Sequence, residues 1–354
     1  MPVKLTEVAR LAGVSLATAS RVLNGSARKP AEGIAERVKA AAEELGYVAN
    51  AQAQALARSS TSLVGLVVHD IADPYFSTLA RGVQDAAKHY RHQVLLAGTD
   101  HAGDGQGPGD AELAAVNAFI SHRTDAIILA ASRLQVEDPR LSKALAQYIE
   151  NGGRVVALGA TGIPGAKSLR VANKDGAAAL AAALVNRGVS RFAILAGPPE
   201  RNTARHRVEG YAEALAAAGI KPAAVITGAF TSQGGYDATL ECLDSLGITS
   251  PAGDPADGHD DDPAGGPLCI LAANDVMALG AMTALRSRGL RVPQDVQVAG
   301  FDDIPTLRYH SPGLTTYRLP LEHMGRLAAE LALDPYGRHD AGVTGEVVLR
   351  ESAG

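Results

Sequence analysis

The sequence predicts a small all-α headpiece followed by an α/β core of two doubly wound parallel-sheet subdomains. Two short helices joined by a glycine turn account for residues 5–24, and from residue 63 onward apolar strands alternate with amphipathic helices. Such alternation is typical of parallel sheets that carry helices on both faces. Because the 354 residues contain more strand–helix units than one sheet accommodates, we expect two such halves.

The headpiece opens with two helices that each have one apolar face. In the first helix this face consists of Val8, Ala9 and Ala12, and Gly13 ends the helix. Ser15 is placed to cap the second helix by accepting a backbone N–H. The second helix directs three apolar residues inward, namely Ala19, Val22 and Leu23. The pattern favours a helix-turn-helix, whose second helix lies in the DNA major groove, over an ordinary helical hairpin.

The core elements follow from the alternation of buried and amphipathic segments. The predicted strands span residues 63–69, 93–98, 126–130, 154–158, 191–196, 223–227, 268–272 and 296–301. The predicted helices span residues 76–90, 110–121, 140–151, 174–187, 204–218, 232–246, 275–288 and 321–333. Two glycine-rich segments, 101–110 and 249–267, are predicted to be unstructured loops. The second contains a run of aspartates that does not have the spacing of a calcium loop, and its role stays open.

Charge and cysteine usage limit the class of protein. Residues 1–60 have a net charge of +3, whereas the remainder of the chain has a net charge of −8. A basic head on an acidic body is typical of a DNA-binding module attached to a separate core. Because +3 is a weak charge for phosphate neutralisation, we expect two modules to act together in a homodimer. The only cysteines, Cys242 and Cys269, form no CxxC pair and indicate a reducing cytoplasm.

The headpiece motif resembles one known family. Residues Glu7-Val-Ala-Arg-Leu-Ala-Gly-Val-Ser15 and Ala17-Thr-Ala-Ser-Arg-Val-Leu-Asn24 are similar to the headpiece of the lactose-repressor (LacI/GalR) family of bacterial transcriptional regulators. Residues 36–47 look like the third helix of that family, and residues 50–58 look like its hinge helix. Together with core segments described below, the resemblance covers nearly the whole chain.

The resemblance implies a periplasmic-binding-protein-like core whose two halves are joined by three crossovers. By this analogy the domains are a helix-turn-helix DNA-binding headpiece, a hinge helix with its linker, and an effector-binding and dimerisation core, over residues 1–48, 49–60 and 61–354. Subdomain one is expected to contain residues 61–160 plus 291–318, and subdomain two residues 161–290 plus 319–354.

The resemblance also implies which headpiece residues contact DNA. Leu16, Ala17 and Arg21 stand where the family contacts bases; an arginine can donate two hydrogen bonds to a guanine, and Ala or Leu can pack on a thymine methyl group. The residues expected near phosphates are Thr18, Ser20 and Asn24, and Ser15 at the start of the helix is also expected at the DNA. Thr18 could equally be a solvated helix residue. The chain departs from the usual family pattern by lacking hydroxyls at Lys4, Ala31 and Ile34, and a proline at Ala49.

The hinge helix is too short to be stable alone, because helix nucleation is costly. We therefore expect it to become ordered only when two copies pack on DNA. Leu56 stands where the family inserts a leucine into the minor groove, although it could instead be buried in the core. The remaining hinge residues expected at the DNA are Asn50, Ala53 and Arg58, with Arg58 near the phosphates.

An effector cleft is predicted at the carboxyl ends of the core strands. The candidate effector-binding residues are Asp73, Phe76, Asp100, Arg207, Phe230, Asn274 and Asp275. The segment Thr203–Tyr211 resembles the effector-binding segment of the family, with Arg207 in the pocket, and Ala272-Ala-Asn-Asp275 resembles its other hallmark, with Asp275 as a ligand acceptor. An arginine and an aspartate on opposed loops can hydrogen-bond vicinal hydroxyls. Two alternatives stay open: Arg207 could pair with Asp275 without a ligand, and Phe230 could be plain core.

These observations favour a DNA-binding transcriptional repressor controlled by a small effector, with a sugar preferred to a purine or nucleoside. A solute-binding protein of a sugar transport system would share the core, but the headpiece and the missing signal peptide count against it. The sequence contains no G-x-S-x-G, P-loop or H-E-x-x-H motif, which counts against an enzyme. No membrane span, cofactor or metal is expected, and His89 and His92 are interpreted as a solvated pair.

Overall fold

The computed structural model describes residues 3–24, 33–48, 60–99, 108–131, 138–249, 266–334 and 340–354. Contacts within the chain divide it into two units, Met1–Ser62 and Leu63–Gly354. The predicted hinge residues Asn50, Ala53, Leu56 and Arg58 lie outside the described residues, as does most of the two predicted loops. Among the described helices, none is both long and apolar enough to cross a membrane.

In the described residues of the headpiece there are three helices: α1 (Leu5–Leu11), α2 (Leu16–Asn24) and α3 (Ile34–Glu44). They enclose a core of small side chains, comprising Val8, Ala9, Ala12, Ala19, Val38, Ala41 and Ala42. Between α1 and α2 the backbone of Gly13 has a φ of +65°, in the left-handed region that favours glycine. Oγ of Ser15 accepts the N–H of Thr18 at 3.1 Å and caps α2. The predicted helix-turn-helix and its cap are confirmed.

The core unit alternates strands and helices along the chain. Its first elements are β1 (Leu63–Val68), α4 (Pro74–His89), β2 (Gln93–Gly98), α5 (Pro108–Ser121), β3 (Ala126–Leu129), α6 (Pro139–Glu150), β4 (Arg154–Leu158), β5 (Lys167–Val171), α7 (Asn173–Val185), β6 (Phe192–Ala196), α8 (Asn202–Ala217) and β7 (Ala224–Thr227). The remaining elements are α9 (Ser232–Ser245), β8 (Leu268–Ala272), α10 (Asp275–Ser287), β9 (Val296–Asp302), a 3-10 helix (Pro305–Tyr309), β10 (Thr315–Arg318), α11 (Leu321–Leu333), β11 (Asp340–Val343) and β12 (Glu346–Val348).

These strands form two six-stranded sheets. The first has the order β11-β5-β4-β3-β1-β2 and is entirely parallel; the second has the order β12-β10-β9-β8-β6-β7, with only β12 antiparallel. Successive residues of β3 pack on opposite faces, since Ile127 and Leu129 join one apolar cluster and Ile128 joins another. Because both faces are covered, the central strands β1, β3, β6 and β8 are apolar. The predicted doubly wound α/β core is confirmed.

The chain crosses between the two subdomains three times, after β5, after β10 and after β11. The predicted boundaries within the core are therefore wrong. Residues 291–318 were assigned to subdomain one, but β9 and β10 join the second sheet through the pairing of β9 with β8. Helix α11, assigned to subdomain two, packs on α4 of the first. An apolar strand pattern does not reveal which sheet the strand joins, because its partners are distant in sequence.

Candidate functional site

A cavity of about 270 Å³ lies at the carboxyl ends of the strands of both sheets. Residues that follow β1, β3 and β4 line one wall, together with Arg170 on β5. Residues that follow β6, β7 and β8, and the end of β9, line the other. The predicted site residues on these walls are Asp73, Phe76, Arg207, Phe230 and Asn274. Asp100 lies outside the described residues.

Arg207 is the centre of the polar part of the cavity. Its guanidinium is buried and forms a two-pronged ion pair with Asp302, at 2.8 Å from Nη2 to Oδ1 and 3.3 Å from Nη1 to Oδ2. The same group donates to Oδ1 of Asn173 at 2.9 Å and to the carbonyl of Ala273 at 2.6 Å. It also lies 3.9 Å above the ring of Phe301. These contacts fix the arginine in one orientation, as a bidentate carboxylate partner does.

Asp302 therefore takes the place predicted for Asp275. Asp275 is fully buried beneath the cavity wall and is absent from its lining. Its Oδ1 accepts the hydroxyl of Thr316 at 2.7 Å, and its Oδ2 accepts the N–H of Ile304 at 2.9 Å. Burial, and secondarily the charge of Asp302, raises the pKa of the Asp275 carboxyl well above its ordinary value. The prediction that Asp275 is a ligand acceptor in the cleft is wrong, and so is the alternative pairing of Arg207 with Asp275.

Asp302 was missed because β9 had been assigned to the wrong subdomain. The signal was present in the sequence, since Gly300-Phe-Asp-Asp303 ends an apolar strand. The φ of Asp302 is +114°, a conformation that L side chains rarely adopt and that is often found at functional sites. Burial raises the pKa of Asp302, while its pairing with Arg207 opposes that rise. Since Asp302 lines the cavity, it is a candidate ligand acceptor.

Two other predicted site residues also cap helices. Oδ1 of Asp73 accepts the N–H of Tyr75 at 2.9 Å at the start of α4, and burial raises the pKa of this carboxyl. Oδ1 of Asn274 accepts the N–H of Met277 at 2.9 Å at the start of α10. Both residues also line the cavity. The hydrogen bonds that cap α4 and α10 therefore also hold Asp73 and Asn274 in the cavity wall.

The aromatic wall combines cavity lining with core packing. Phe76 is half-buried and meets Tyr75 edge to face, with 4.9 Å between the ring centroids. Phe230 is also half-buried, and its ring occupies the space that a side chain at Gly197 would need. Phe230 therefore lines the cavity and packs against the core at the same time.

The headpiece presents a second candidate surface along α2. Ala17 and Arg21 are exposed, and the side chain of Leu16 keeps 49% of its area accessible. Ser15 is exposed, while Thr18 and Ser20 are half-buried, and the hydroxyls of Ser15 and Thr18 lie 2.8 Å apart. Asn24 is the last residue of the helix. Leu16, Ala17 and Arg21, which are predicted to contact bases, are thus exposed on α2, whereas Ala19 of the same helix is buried.

Comparisons with known proteins agree with both units. The model described as "Bacterial regulatory proteins, lacI family" matches residues 4–50, and the one described as "Periplasmic binding protein-like domain" matches residues 181–352. The HTH-type transcriptional regulator GalR of Escherichia coli (strain K12) is 34% identical over 93% of this chain and 88% of its own length. Among solved structures, the lac repressor dimer bound to operator and the anti-inducer ONPF has a TM-score of 0.81 at 27% identity, covering 99% of both chains. The CelR–cellobiose complex has a TM-score of 0.67 at 28% identity, covering 99% of this chain and all of that one.

Proposed function

The chain belongs to the LacI family of bacterial regulatory proteins, and from this premise we propose a cytoplasmic, homodimeric repressor whose operator affinity is set by a small effector. The chain is a transcriptional regulator rather than an enzyme, as its relatives are. The observation that carries the proposal is the exposed side of α2 in a folded helix-turn-helix. Because one weakly basic headpiece binds DNA poorly, two copies on a partly palindromic operator fit its charge.

The reading of DNA bases is assigned to the exposed side of α2. Arg21 is exposed and makes no ion pair with any residue that the structure describes. Its guanidinium has the length and donors to reach the O6 and N7 atoms of a guanine. Leu16 and Ala17, near the start of the same helix, offer apolar contacts for thymine methyl groups. Ser15, Thr18, Ser20 and Asn24 are assigned to the phosphates, which set the position of the helix in the groove.

Selection of binding sites from random DNA by the full chain tests this assignment. We expect one enriched, partly palindromic site, because two equivalent headpieces contact it. Arg21→Ala should weaken binding to that site by about 1–3 kcal/mol and weaken binding to random DNA much less. Arg187→Ala, which changes an exposed arginine of the core, should leave both affinities unchanged. Equal losses on both DNAs would make Arg21 a phosphate contact, and no enriched site would contradict the proposed function.

The effector is assigned to the cavity of the core, and a sugar is the first choice. Asn173, Asn274, Arg207 and Asp302 place amide, guanidinium and carboxylate groups on one wall, which suits a ligand with several hydroxyls. Phe230 and Phe76 offer aromatic surface for a ring face. The similarity to the complex of CelR with cellobiose supports this class of ligand. The aromatic surface also fits a purine or nucleoside, which is the second candidate.

The link between effector and DNA is assigned to the predicted hinge helix, residues 50–58. An effector that changes the arrangement of the two cores would move the two hinges relative to each other, and so alter operator affinity without touching DNA. Leu56 is the residue proposed for the minor groove, with Asn50, Ala53 and Arg58 beside it. An operator-binding assay with the effector shows directly whether the effector lowers or raises the affinity for the operator.

A further inference from the structure

The ring of Phe230 separates the cavity from the backbone at the end of β6. Phe230 is half-buried and lines the cavity, whereas Gly197, the residue after β6, is buried and does not line it. A Cβ atom at Gly197 would lie 2.5 Å from Cζ and 2.9 Å from Cδ1 of Phe230. Outside residues 196–198, its three nearest described atoms all belong to that ring. The aromatic ring therefore occupies the space that a side chain at residue 197 would need.

The backbone of Gly197 does not itself require glycine. Its φ lies outside the left-handed region that favours glycine over other residues. An alanine would therefore suit the backbone, and what excludes it is the ring of Phe230. The two residues are thus coupled through this contact, although only Phe230 reaches the cavity.

The loop that carries Phe230 is held by hydrogen bonds on both sides of this residue. The N–H of Gly228 donates to the carbonyl of Ala196 at 2.8 Å. Oγ1 of Thr231 accepts the N–H of Gly234 at 2.9 Å and caps α9. Because breaking these contacts costs more than a small rotation of a side chain, a methyl group at residue 197 should displace the ring and leave the loop in place.

The cavity is the side toward which the ring has room to move. Ordinary van der Waals contact begins at about 3.4 Å, so the Cζ atom at 2.5 Å would have to retreat from an added Cβ atom by about 0.9 Å. The apolar core against which Phe230 packs does not admit a shift of that size, because protein interiors are close-packed. The ring would therefore shift into the cavity, where the ligand is assigned.

We propose that Gly197 is a positioning residue of the effector site. Because it has no side chain, the ring of Phe230 lies back against the end of β6 and leaves room for the ring of a ligand in front of it. The ligand class is the one proposed above, a sugar or a nucleoside, whose ring face packs on an aromatic ring. This inference rests on the proposed function, because it assigns the depth of the same cavity to a residue that the ligand does not touch.

Crystal structures of the full-length wild type and of Gly197→Ala test the position of the ring without a ligand. We expect the ring of Phe230 to lie about 1 Å nearer the cavity in Gly197→Ala, with the backbone of residues 196–198 and 228–231 in place. A ring that has not moved overturns the inference, whatever has moved instead.

Calorimetry with cellobiose, lactose, galactose, ribose and cytidine tests the consequence for binding. Gly197→Ala should weaken the binding of the tightest of these probes about tenfold. The same change in a chain that carries Phe230→Leu should weaken that probe less than about twofold, because the smaller side chain leaves room for the added methyl group. Equal losses in both backgrounds overturn the inference, since the methyl group would then act without the ring of Phe230.

The matched control is Gly342→Ala on β11, where no described heavy atom lies within 4 Å of the added Cβ atom. It should leave the affinity for the probe and the Tm at their wild-type values. Gly197→Ala should lower the Tm, and by less in a chain that carries Phe230→Leu. If Gly197→Ala alone does not fold, the double variant should fold, and an unfolded double variant overturns the inference.

Operator binding in the same samples separates this inference from the proposed function. If a probe binds with the expected losses but leaves operator affinity unchanged, the inference stands and the effector role fails. If a probe changes operator affinity equally in the wild type and in Gly197→Ala, the proposed function stands and the inference fails. If none of the probes binds the wild type, the proposed class of ligand fails, and the position of the ring alone decides the inference.

Discussion

The two subdomains share one architecture but contribute unequally to the cleft. Each contains a six-stranded sheet and closely packed helix pairs, α4 with α11 in the first subdomain and α7 with α8 and α9 with α10 in the second. In the second subdomain, Arg207 is held by its ion pair with Asp302 and by its hydrogen bond to Asn173. In the first, Arg170 on the opposite wall makes no ion pair with a described residue. The difference indicates that the second subdomain holds a prearranged binding surface, to which the first adds groups that remain available to a ligand.

The largest expected effect on stability comes from replacing a buried aspartate with asparagine, and it should differ between Asp302 and Asp275. Asp302→Asn leaves the buried guanidinium of Arg207 without a carboxylate, and breaking such a pair costs about 3–5 kcal/mol of unfolding free energy. Asp275→Asn should cost about 1 kcal/mol, because burial favours the neutral carboxyl there and an amide can keep both hydrogen bonds. Urea unfolding followed by circular dichroism measures both. Equal costs would contradict the distinction between the two residues.

Both subdomains contain closely packed helix pairs, and substitutions at glycines between these helices test how much the packing stabilises the fold. A side chain at Gly82 of α4 would overlap the carbonyl of Glu322 on α11, and one at Gly280 of α10 would overlap that of Ser232 on α9. Gly82→Ala and Gly280→Ala should therefore each lower the unfolding free energy by about 1–3 kcal/mol, although alanine is the better helix former.

The matched control for both changes is Gly342→Ala on β11, where a side chain would meet open space. Its unfolding free energy should stay near that of the wild type. A gain in stability at Gly82 or Gly280 would mean that the helices can separate to admit a methyl group, and that close contact does not hold the pairs together.

The smallest effect is a pH dependence confined to the first subdomain. His92, interpreted from the sequence as solvated, is mostly buried and its Nε2 lies 3.1 Å from Oδ2 of Asp125. This hydrogen bond raises the pKa of His92 above its ordinary value of about 6.5. Its contribution to stability should be complete below that value and disappear as the pH rises through the raised pKa of the folded state.

Unfolding free energies of the wild type and His92→Gln, measured across this range of pH, check the sign. The difference between the two proteins should shrink as the pH rises. His89→Gln is the matched control, since His89 is exposed on α4. A difference that grows with pH would contradict the contact with Asp125.

Local patterns in the sequence predicted most of the elements but not how they assemble. The eight predicted core strands and eight predicted core helices are present, because each is marked by its own apolar period. Strands β5, β10, β11 and β12 were not predicted, since they are short and several alternate polar with apolar residues. Their pairing, and the subdomain to which β9 belongs, depend on contacts between distant segments.

The dependence on contacts between distant segments also explains which residues of the candidate site could be predicted. Arg207 and Asn274 could be predicted because each lies in a recognisable local motif, and both line the cavity. Asp275 lies in one of those motifs as well, but its side chain turns beneath the wall. Asp302 and Arg170 reach the cavity only through the pairing of their strands. Which aspartate faces a ligand is therefore decided by tertiary structure, and the sequence motif alone names the wrong one.

Thermal unfolding with a panel of sugars, sugar phosphates, sugar acids and nucleosides tests most directly whether Asp302 holds the effector. A compound that binds only the folded state raises the Tm. We predict a compound that raises the Tm of the wild type and of Asp275→Asn, changes operator affinity, and has no effect on Asp302→Asn. Phe230→Leu, which leaves the ion pair intact, should show a reduced shift. An equal Tm shift in Asp302→Asn and the wild type would contradict the account.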